Sequence, residues 1–183
     1  YGIGYNGYGQ LGDETTVNRV TPTKLTEIDN VIDIDAGFNH VVALKSDGTI
    51  WTWGLNNYGQ LGDNTTTNKT RPAMLTRLTD VTMISAGEQH TLAVTKDGKV
   101  WAWGRNHVGQ LGDNTRTGRN IPTEVKRLNN LVDIQAGGYH NLALDANGIV
   151  WSWGYGYYGE TGVNSSSDQL VPIQVDSITT SVD

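Results

Sequence analysis

The chain has 183 residues and no cysteine, which excludes disulfides and thiolate metal sites. Its net charge of −6 and scattered basic residues argue against nucleic-acid binding, and no apolar run reaches the roughly 18 residues of a membrane span. The 23 glycines favour strands and turns over helices, while six Trp and eight Tyr supply apolar surface that a disordered chain lacks.

The sequence repeats every 50 residues. Pro occurs only at four positions and Trp only in three pairs with this spacing: Pro22, Pro72, Pro122, Pro172, Trp51, Trp53, Trp101, Trp103, Trp151 and Trp153. An Ala-Gly-x-x-His motif recurs at the same interval and ends at His40, His90 and His140. We divide the chain into the repeats 1–50, 51–100 and 101–150 and an incomplete repeat, 151–183. A period of about 20–50 residues is typical of solenoids, propellers and arrays.

The repeat 51–100 opens with a strand end and a loop. Trp51 and Trp53 share one face of the strand, because side chains alternate along it. Residues 54–64 form a Gly-rich loop, and a polar stretch follows. Pro72 is expected at the start of the next strand, where its missing N–H is tolerated.

The rest of the repeat predicts four short strands. They are expected at 73–78, 81–86, 90–95 and 99–103. Asp97-Gly98 lies between the last two and predicts a primed hairpin turn, which requires positive φ angles. Four short antiparallel strands per repeat describe one blade of a β-propeller, so we predict an all-β propeller of four-stranded blades.

The residues also carry a family likeness. The motif Trp-x-Trp-Gly-x-Asn-x-x-Gly-Gln-Leu-Gly-Asp at 101–113, together with Ala-Gly-x-x-His and Asp-Gly, resembles the repeat of the regulator of chromosome condensation family in its bacterial form. The likeness covers essentially the whole chain. It implies a seven-bladed β-propeller, of which about 3.7 repeats, or roughly half a ring, are present.

Half a ring exposes strand edges and blade faces at its two ends. We therefore expect the propeller to be completed by further sequence or by another copy. Three arrangements stay open: the chain is part of a longer propeller, two copies form one ring, or copies join end to end.

The periodic His and Trp residues are expected to be structural. One His per repeat in the same motif, at His40, His90 and His140, is typical of packing or hydrogen bonding. Equivalent positions on neighbouring blades lie about 10 Å apart, too far to share a zinc ion whose bonds are about 2 Å long. The Trp pairs are expected to pack between neighbouring blades.

No cofactor or metal is expected. Asp13, Asp63 and Asp113 could be read as calcium ligands, but they lack the dense acidic pattern of a calcium loop, and Asx turns are expected instead. Val163 replaces this Asp in the fourth copy. The glycine loops precede no helix that would complete a phosphate site. No nucleophile, base and orienting residue occur together, so we expect neither an enzyme nor a small-molecule substrate.

Positions at which the repeats differ are candidates for partner binding, because residues freed from repeat packing are available for recognition. They lie after Trp-x-Trp-Gly and between Ala-Gly and His, in loops expected to share one face. The candidates are Tyr5, Phe38, Leu55, Arg105, His107, Tyr139, Tyr155 and Tyr157. The Tyr-rich loop 155–160 departs most from the others and is predicted either to face a partner or to form part of an end interface.

Together these features predict a non-enzymatic scaffold for protein–protein interactions, whose partner is another protein, further copies of itself, or both. A self-assembling structural protein joined through its chain ends is one alternative. The resemblance implies a second, a guanine-nucleotide exchange factor for a small GTPase. It also implies an extracellular or cell-surface location, with the cytoplasm as the alternative.

Overall fold

The computed structural model describes residues 1–175, which form fourteen β-strands. The strands are β1 (Gly2–Gly4), β2 (Arg19–Thr23), β3 (Val31–Ala36), β4 (His40–Lys45), β5 (Ile50–Gly54), β6 (Lys69–Met74), β7 (Val81–Ala86), β8 (His90–Thr95), β9 (Val100–Gly104), β10 (Arg119–Val125), β11 (Leu131–Ala136), β12 (His140–Asp145), β13 (Val150–Gly154) and β14 (Gln169–Gln174). This part of the chain contains no helix, and so none long and apolar enough to cross a membrane. The end of the incomplete fourth repeat, 176–183, lies outside the described residues.

The strands form antiparallel sheets in chain order, β1-β2, β3-β4-β5-β6, β7-β8-β9-β10 and β11-β12-β13-β14. The register repeats, with His40 opposite Gly54 and His90 opposite Gly104. Gly54 has a φ of 99°, and a Cβ there would clash with the carbonyl oxygen of Asn39, so glycine is required at this corner. The described residues are thus about 3.5 blades of a β-propeller, and the predicted fold class is confirmed.

The first strands of neighbouring sheets contact one another, as the inner strands of propeller blades do. Asp35 in β3 accepts hydrogen bonds from Ser85 Oγ at 3.1 Å and from Ala86 N at 2.8 Å, both in β7. Ser85 Oγ in turn accepts one from Ala136 N in β11 at 3.0 Å. The fourth strands, β6, β10 and β14, are the outer edges.

The sheets are out of phase with the sequence repeats. The sheet β3–β6 spans 31–74 and the next sheet spans 81–125, so each crosses a repeat boundary. Each complete sheet takes its first two strands from one repeat and its last two essentially from the next. The same offset gives β1–β2 only the third and fourth strands of a blade, which leaves one edge of β1 without a partner strand among the described residues.

One predicted strand is misplaced. The strand expected at 73–78 is β6, which begins at Lys69, so Pro72 lies within it and not at its start. Proline is accommodated because β6 is an outer edge strand whose register with β5 shifts. Leu75 and Leu78 follow in a loop and are buried. The remaining three predicted strands correspond to β7, β8 and β9.

The hairpin turns also differ from the primed turns predicted. Thr95 N donates to Lys99 O at 2.9 Å and Gly98 N donates to Thr95 O at 2.8 Å, which makes a three-residue loop. Gly98 has a φ of 79°, but Asp97 does not have a positive φ. A single left-handed glycine is enough in this longer loop, whereas a type I′ turn needs two such residues.

The hydrophobic cores lie between neighbouring sheets. One contains Leu44, Ile50, Ile84 and Trp103, and the next contains Leu92, Val100, Ile134 and Trp153. Each core contains residues from both sheets, so a sheet buries its apolar side chains only when a neighbouring sheet packs against it.

This packing is incomplete at both ends of the part of the chain that the structure describes. Ile34 is 59% exposed, whereas its equivalent Ile84 is 6% exposed. At the other end Leu142 is 40% exposed, whereas its equivalent Leu92 is fully buried. The two ends therefore expose the residue types that form the internal cores.

Candidate functional site

The variable loops share one end of the propeller, as predicted, and we call this end the loop face. Backbone hydrogen bonds of 2.8–2.9 Å tie each loop after a third strand to the turn before a second strand: Leu55 N to Asn39 O, Arg105 N to Gln89 O, and Tyr155 N to Tyr139 O. Neighbouring turns also bond, since Phe38 N donates to Glu88 O and Glu88 N donates to Gly138 O, both at 3.2 Å. These bonds connect the loops of three successive blades.

One buried asparagine holds each of the first three loops. Asn56 Nδ2 donates to the Asp63 carboxylate at 3.2 Å. It also donates to the backbone oxygens of Thr65 and Thr67, while Asn56 Oδ1 accepts from Leu61 N at 2.9 Å. The equivalent residues Asn6 and Asn106 bond in the same way. These loops therefore have a fixed shape on which variable side chains are displayed.

The Asp of each regular loop forms the predicted Asx turn and an ion pair. Asp13 Oδ1 accepts from Thr15 N at 3.1 Å, and Asp13 Oδ2 accepts from Arg19 at 2.6 Å. Burial raises the pKa of Asp13, but hydrogen bonds from Thr15 and Arg19 outweigh it and lower the pKa to about 2. Asp63 with Lys69 and Asp113 with Arg119 form equivalent pairs. The carboxylates are thus occupied by the loop itself.

The periodic His residues join neighbouring sheets. His40 Nε2 lies 3.0 Å from Thr91 Oγ1, and His90 Nε2 lies 2.7 Å from Asn141 Oδ1. Burial lowers the pKa of His40 to about 3 and that of His90 to about 4, so both rings are neutral at pH 7. These contacts and the burial of both rings agree with the structural role that the repeat pattern predicts. His140 is half-buried. The residue that would correspond to Thr91 and Asn141, the partners of His40 and His90, lies beyond residue 183.

The first and the second Trp of each pair make different contacts. Nε1 of the second Trp donates to a backbone oxygen of the preceding regular loop, Trp53 to Gln10, Trp103 to Gln60 and Trp153 to Gln110, at 2.9–3.1 Å. The first Trp is half-buried and bonds within its own hairpin: Trp51 to Thr49, Trp101 to Thr95, and Trp151 to Asp145. The second Trp therefore provides the predicted packing between blades.

Most of the predicted partner-binding residues are accessible on the loop face. Phe38 is 72% exposed and Tyr157 is 63% exposed. Tyr5 and His107 are also exposed, whereas Arg105, Tyr139 and Tyr155 are half-buried.

Leu55 is wrong as a candidate, because its side chain is buried. An aliphatic side chain has no polar end to leave in water. The Tyr and Arg side chains at equivalent positions keep their polar ends at the surface.

Arg105 is the centre of an aromatic cluster. Its guanidinium carbon lies 4.8 Å from the ring centroid of Tyr58 and 5.7 Å from that of Tyr139, within the range of cation–π attraction. Arg105 Nη1 donates to Gln89 Oε1 at 2.6 Å. His107 packs edge-on against Tyr139, with 5.4 Å between ring centroids. We call these five residues the arginine cluster.

Two further contacts fix this cluster. The Tyr139 hydroxyl donates to Glu88 Oε1 at 2.6 Å, a bond that raises the pKa of Tyr139. Arg116 Nη1 donates to His107 O at 2.7 Å and to Asp168 Oδ2 at 2.8 Å. The second contact connects the arginine cluster to the fourth loop.

The fourth loop carries a tyrosine cluster made of Tyr155, Tyr157 and Tyr158. Tyr155 and Tyr157 stack with centroids 6.5 Å apart, and Tyr158 packs edge-on against Tyr157 at 5.0 Å. Tyr158 is 80% exposed.

The fourth loop has lost the internal network of the other three. Gly156, Val163 and Gln169 occupy the positions of the buried asparagine, the Asx-turn aspartate and its basic partner. A Cβ at Gly156 would clash with the carbonyl oxygen of Ser167, so the backbone has closed over the missing side chain. Loss of the network coincides with the gain of exposed tyrosines.

Four further residues belong to this surface although they are not among the eight predicted candidates; Tyr158 lies in the predicted Tyr-rich loop, and Glu88 and Gln89 lie between Ala-Gly and His, where the repeats differ. Tyr58, Glu88, Gln89 and Tyr158 contact or extend the predicted residues. The sequence signal at the position of Tyr58 is a Tyr that recurs in three of the four repeats, as Tyr8, Tyr58 and Tyr158. Glu88 and Gln89 matter because they hold Tyr139 and Arg105, and contacts between different repeats are not visible in the sequence.

The chain matches the family model of the RCC1-like domain over residues 1–183. It is also 38% identical over 56 residues to the ultraviolet-B receptor UVR8 of Arabidopsis thaliana, a segment that covers 30% of this chain and 13% of the receptor.

Solved structures resemble almost the whole chain. Yeast RCC1 (Prp20) bound to Kap60 has a TM-score of 0.82 and 27% identity, covering 97% of this chain and 44% of that one. Prp20p from Saccharomyces cerevisiae, studied with its binding properties to Gsp1p and histones, has a TM-score of 0.78 and 26% identity over 97% and 46%. Human WBSCR16, with a TM-score of 0.82 and 24% identity over 94% and 46%, shares the fold. The chain thus spans less than half the length of these relatives.

Proposed function

This chain belongs to the RCC1-like domain family, and from that premise we propose that it is a protein-recognition scaffold that binds its partner through the loop face. The observation that carries the proposal is the continuity of the arginine and tyrosine clusters. Tyr155 N donates to Tyr139 O, and Arg116 pairs with Asp168 across the two loops. Rigid aromatic side chains and arginine on a fixed scaffold are the residue types enriched at protein interfaces.

The composition of the fourth loop supports the same function. Residues 155–167 consist mainly of Tyr, Gly, Ser and Asn. Tyrosine supplies contact area at low entropic cost, and Ser, Gly and Asn supply adaptable hydrogen bonds, as in antibody paratopes. Solved relatives are also known with protein partners, since yeast RCC1 was crystallised with Kap60.

Site-specific photo-crosslinking tests the proposal. A photoreactive amino acid replaces Tyr157 on the loop face or, as the control, Lys96 in a hairpin at the other end of the sheets. After irradiation in extract of the source cells, we expect discrete crosslinked proteins with the probe at 157 and none of these with the probe at 96. Crosslinks that form only at 96, or the same products from both positions, would contradict binding through the loop face.

We further propose that the protein is not an enzyme and that it is of the bacterial type, as the repeat resemblance implies. The same resemblance supports a location at the cell surface or outside the cell. Antibody labelling of intact cells checks the location. Guanine-nucleotide exchange stays the alternative function, and accelerated release of labelled GDP from a small GTPase would favour it.

A further inference from the structure

We infer that the arginine cluster binds an acidic side chain of the partner, whose carboxylate pairs with the guanidinium of Arg105 beside Tyr58 and Tyr139. This inference rests on the proposed function and specifies the chemistry of the partner.

Arg105 has no anionic partner within residues 1–175. Other basic residues near the loops are paired with carboxylates within 4 Å: Arg19 with Asp13, Lys69 with Asp63, Arg116 with Asp168, and Arg119 with Asp113. The acidic side chain of Glu88 contacts the cluster, but its carboxylate accepts a hydrogen bond from the hydroxyl of Tyr139. Arg105 therefore forms no ion pair within 4 Å among residues 1–175.

The guanidinium keeps free donors although it is held in place. A guanidinium carries five N–H donors, and the hydrogen bond to Gln89 uses one of them. The contacts with Tyr58 and Tyr139 are made with the rings and use no N–H group. A fixed guanidinium with unused in-plane donors matches the geometry of a carboxylate, which accepts two parallel hydrogen bonds.

The surroundings favour an anion at this point. Arg105 is half-buried, so it has lost part of its hydration without gaining an ion pair among the described residues. The neighbouring His107 has a pKa lowered by burial and by the charge of Arg105, so it is mostly neutral at pH 7 and does not compete for the carboxylate. An acidic partner side chain restores the lost interactions of the guanidinium.

The fold does not require arginine at this position. The equivalent residues in the other copies are Tyr5, Leu55 and Tyr155. Arg105→Leu therefore introduces a residue that the same loop already accepts, and it removes the charge without a foreign side chain.

Nuclear magnetic resonance on the 183-residue chain tests the inference. The Nε–Hε signal of Arg105 and the backbone amide signals of the surrounding loop are followed while acetylated, amidated hexaglutamate is added, with hexaglutamine as the neutral probe; the amide signals give the affinity of the Arg105→Leu variant. We expect a saturable shift with hexaglutamate only, and at least a tenfold loss of affinity in Arg105→Leu. The matched control is Arg71→Leu, which removes an exposed arginine on the outer strand β6 and is expected to bind hexaglutamate like the unchanged chain.

Equal shifts with both peptides, or unchanged hexaglutamate binding by a folded Arg105→Leu variant, would overturn the inference. Near-ultraviolet circular dichroism of the buried Trp residues shows whether each variant is folded. The proposed function fails separately: it is contradicted when crosslinking at position 157 captures no protein, whatever hexaglutamate does. Crosslinking that succeeds equally with Arg105→Leu contradicts only the role of the acidic residue.

Discussion

At the scale of single residues, the loops are shaped by one buried asparagine that satisfies several backbone groups at once. Asn56 supplies both donors and an acceptor to the loop that encloses it. The sequence shows that such an asparagine recurs, but not that it is buried. Its burial depends on the 54–64 loop folding back on the residues that follow, which neither the period nor the composition reveals.

Replacement of Asn56 by Ala is expected to destabilise the protein by about 1–3 kcal/mol or more, because it leaves several buried polar groups without partners. The control is Asn57→Ala, which truncates the exposed neighbour and is expected to change stability by less than about 0.5 kcal/mol. Urea unfolding followed by Trp fluorescence measures both. Equal losses of stability in the two variants would contradict a special role for Asn56.

The buried histidines predict a dependence of stability on pH. Their folded pKa values of about 3 for His40 and about 4 for His90 lie below the value near 6.5 of an unfolded chain. Between these values the unfolded chain binds protons that the folded chain does not, so the free energy of unfolding falls as pH falls from about 6.5 to 4. The lowered carboxyl pKa of Asp13 acts only at lower pH, as pH falls from about 4 to 2.

His90→Gln is expected to reduce this pH dependence, because it removes one of the two groups. His107→Gln changes an exposed loop histidine and is expected to retain most of the dependence. Urea unfolding at pH 7, 6, 5 and 4 compares the three proteins. The same slope in His90→Gln and the unchanged chain would argue against the buried histidine as its origin.

At the scale of strands and sheets, neighbouring blades are joined by polar contacts as well as by apolar packing. Thr91 Oγ1 contacts His40 Nε2 and donates to Gln60 O at 2.9 Å. Trp103 Nε1 donates to the same oxygen. Val41 occupies the position of Thr91 in β4.

Thr91→Val keeps the side-chain volume nearly constant but removes both polar contacts. We expect a loss of about 1–3 kcal/mol, because His40 is left buried without its partner. Thr82→Val removes the exposed hydroxyl bonded to Val94 O and is the matched control, expected to cost less than about 0.5 kcal/mol. Thermal unfolding distinguishes them, and similar midpoints would refute the importance of the contact.

The sequence allowed the strands β7, β8 and β9 to be predicted, but not how strands group into sheets. A periodic sequence looks the same whichever residue is chosen as its start. The grouping depends on which backbone edges bond, and β6 ends one sheet because the loop after it carries Leu75 and Leu78 into the next interface. The predicted position of Pro72 at the start of a strand is wrong because the sequence does not show that β6 is an edge strand. An edge strand accommodates proline in its interior, since the missing N–H can face away from the sheet.

At the scale of the whole molecule, the two end faces expose apolar residues that are buried between internal blades. Ile34 marks one face and Leu142 the other. Ile34 lines a cavity with Gly2 and Ile3 of β1, whose second edge has no partner strand among residues 1–175. Contact between unlike end faces of two copies would cover the apolar residues at both ends.

A polypeptide of residues 1–183 is expected to self-associate as its concentration rises, and Ile34→Asp or Leu142→Asp is expected to lower its average mass. Val20→Asp, on the exposed outer strand β2, is the control and should leave the mass unchanged. Multi-angle light scattering provides the measurement. A folded monomer of 19.9 kDa at every concentration would contradict association through the end faces.

The offset between sheets and repeats has a consequence for how such a gene changes length. Because equivalent strands recur every 50 residues, loss of 50 residues from within a sheet joins its first strands to the last strands of the next sheet in the same register. Deletion of 51–100, for example, places Asn141 of the next sheet against His40 in place of Thr91. Asn141 and Thr91 each offer a side-chain oxygen to an imidazole. Unequal crossing-over between neighbouring copies can therefore add or remove whole blades without a defined breakpoint.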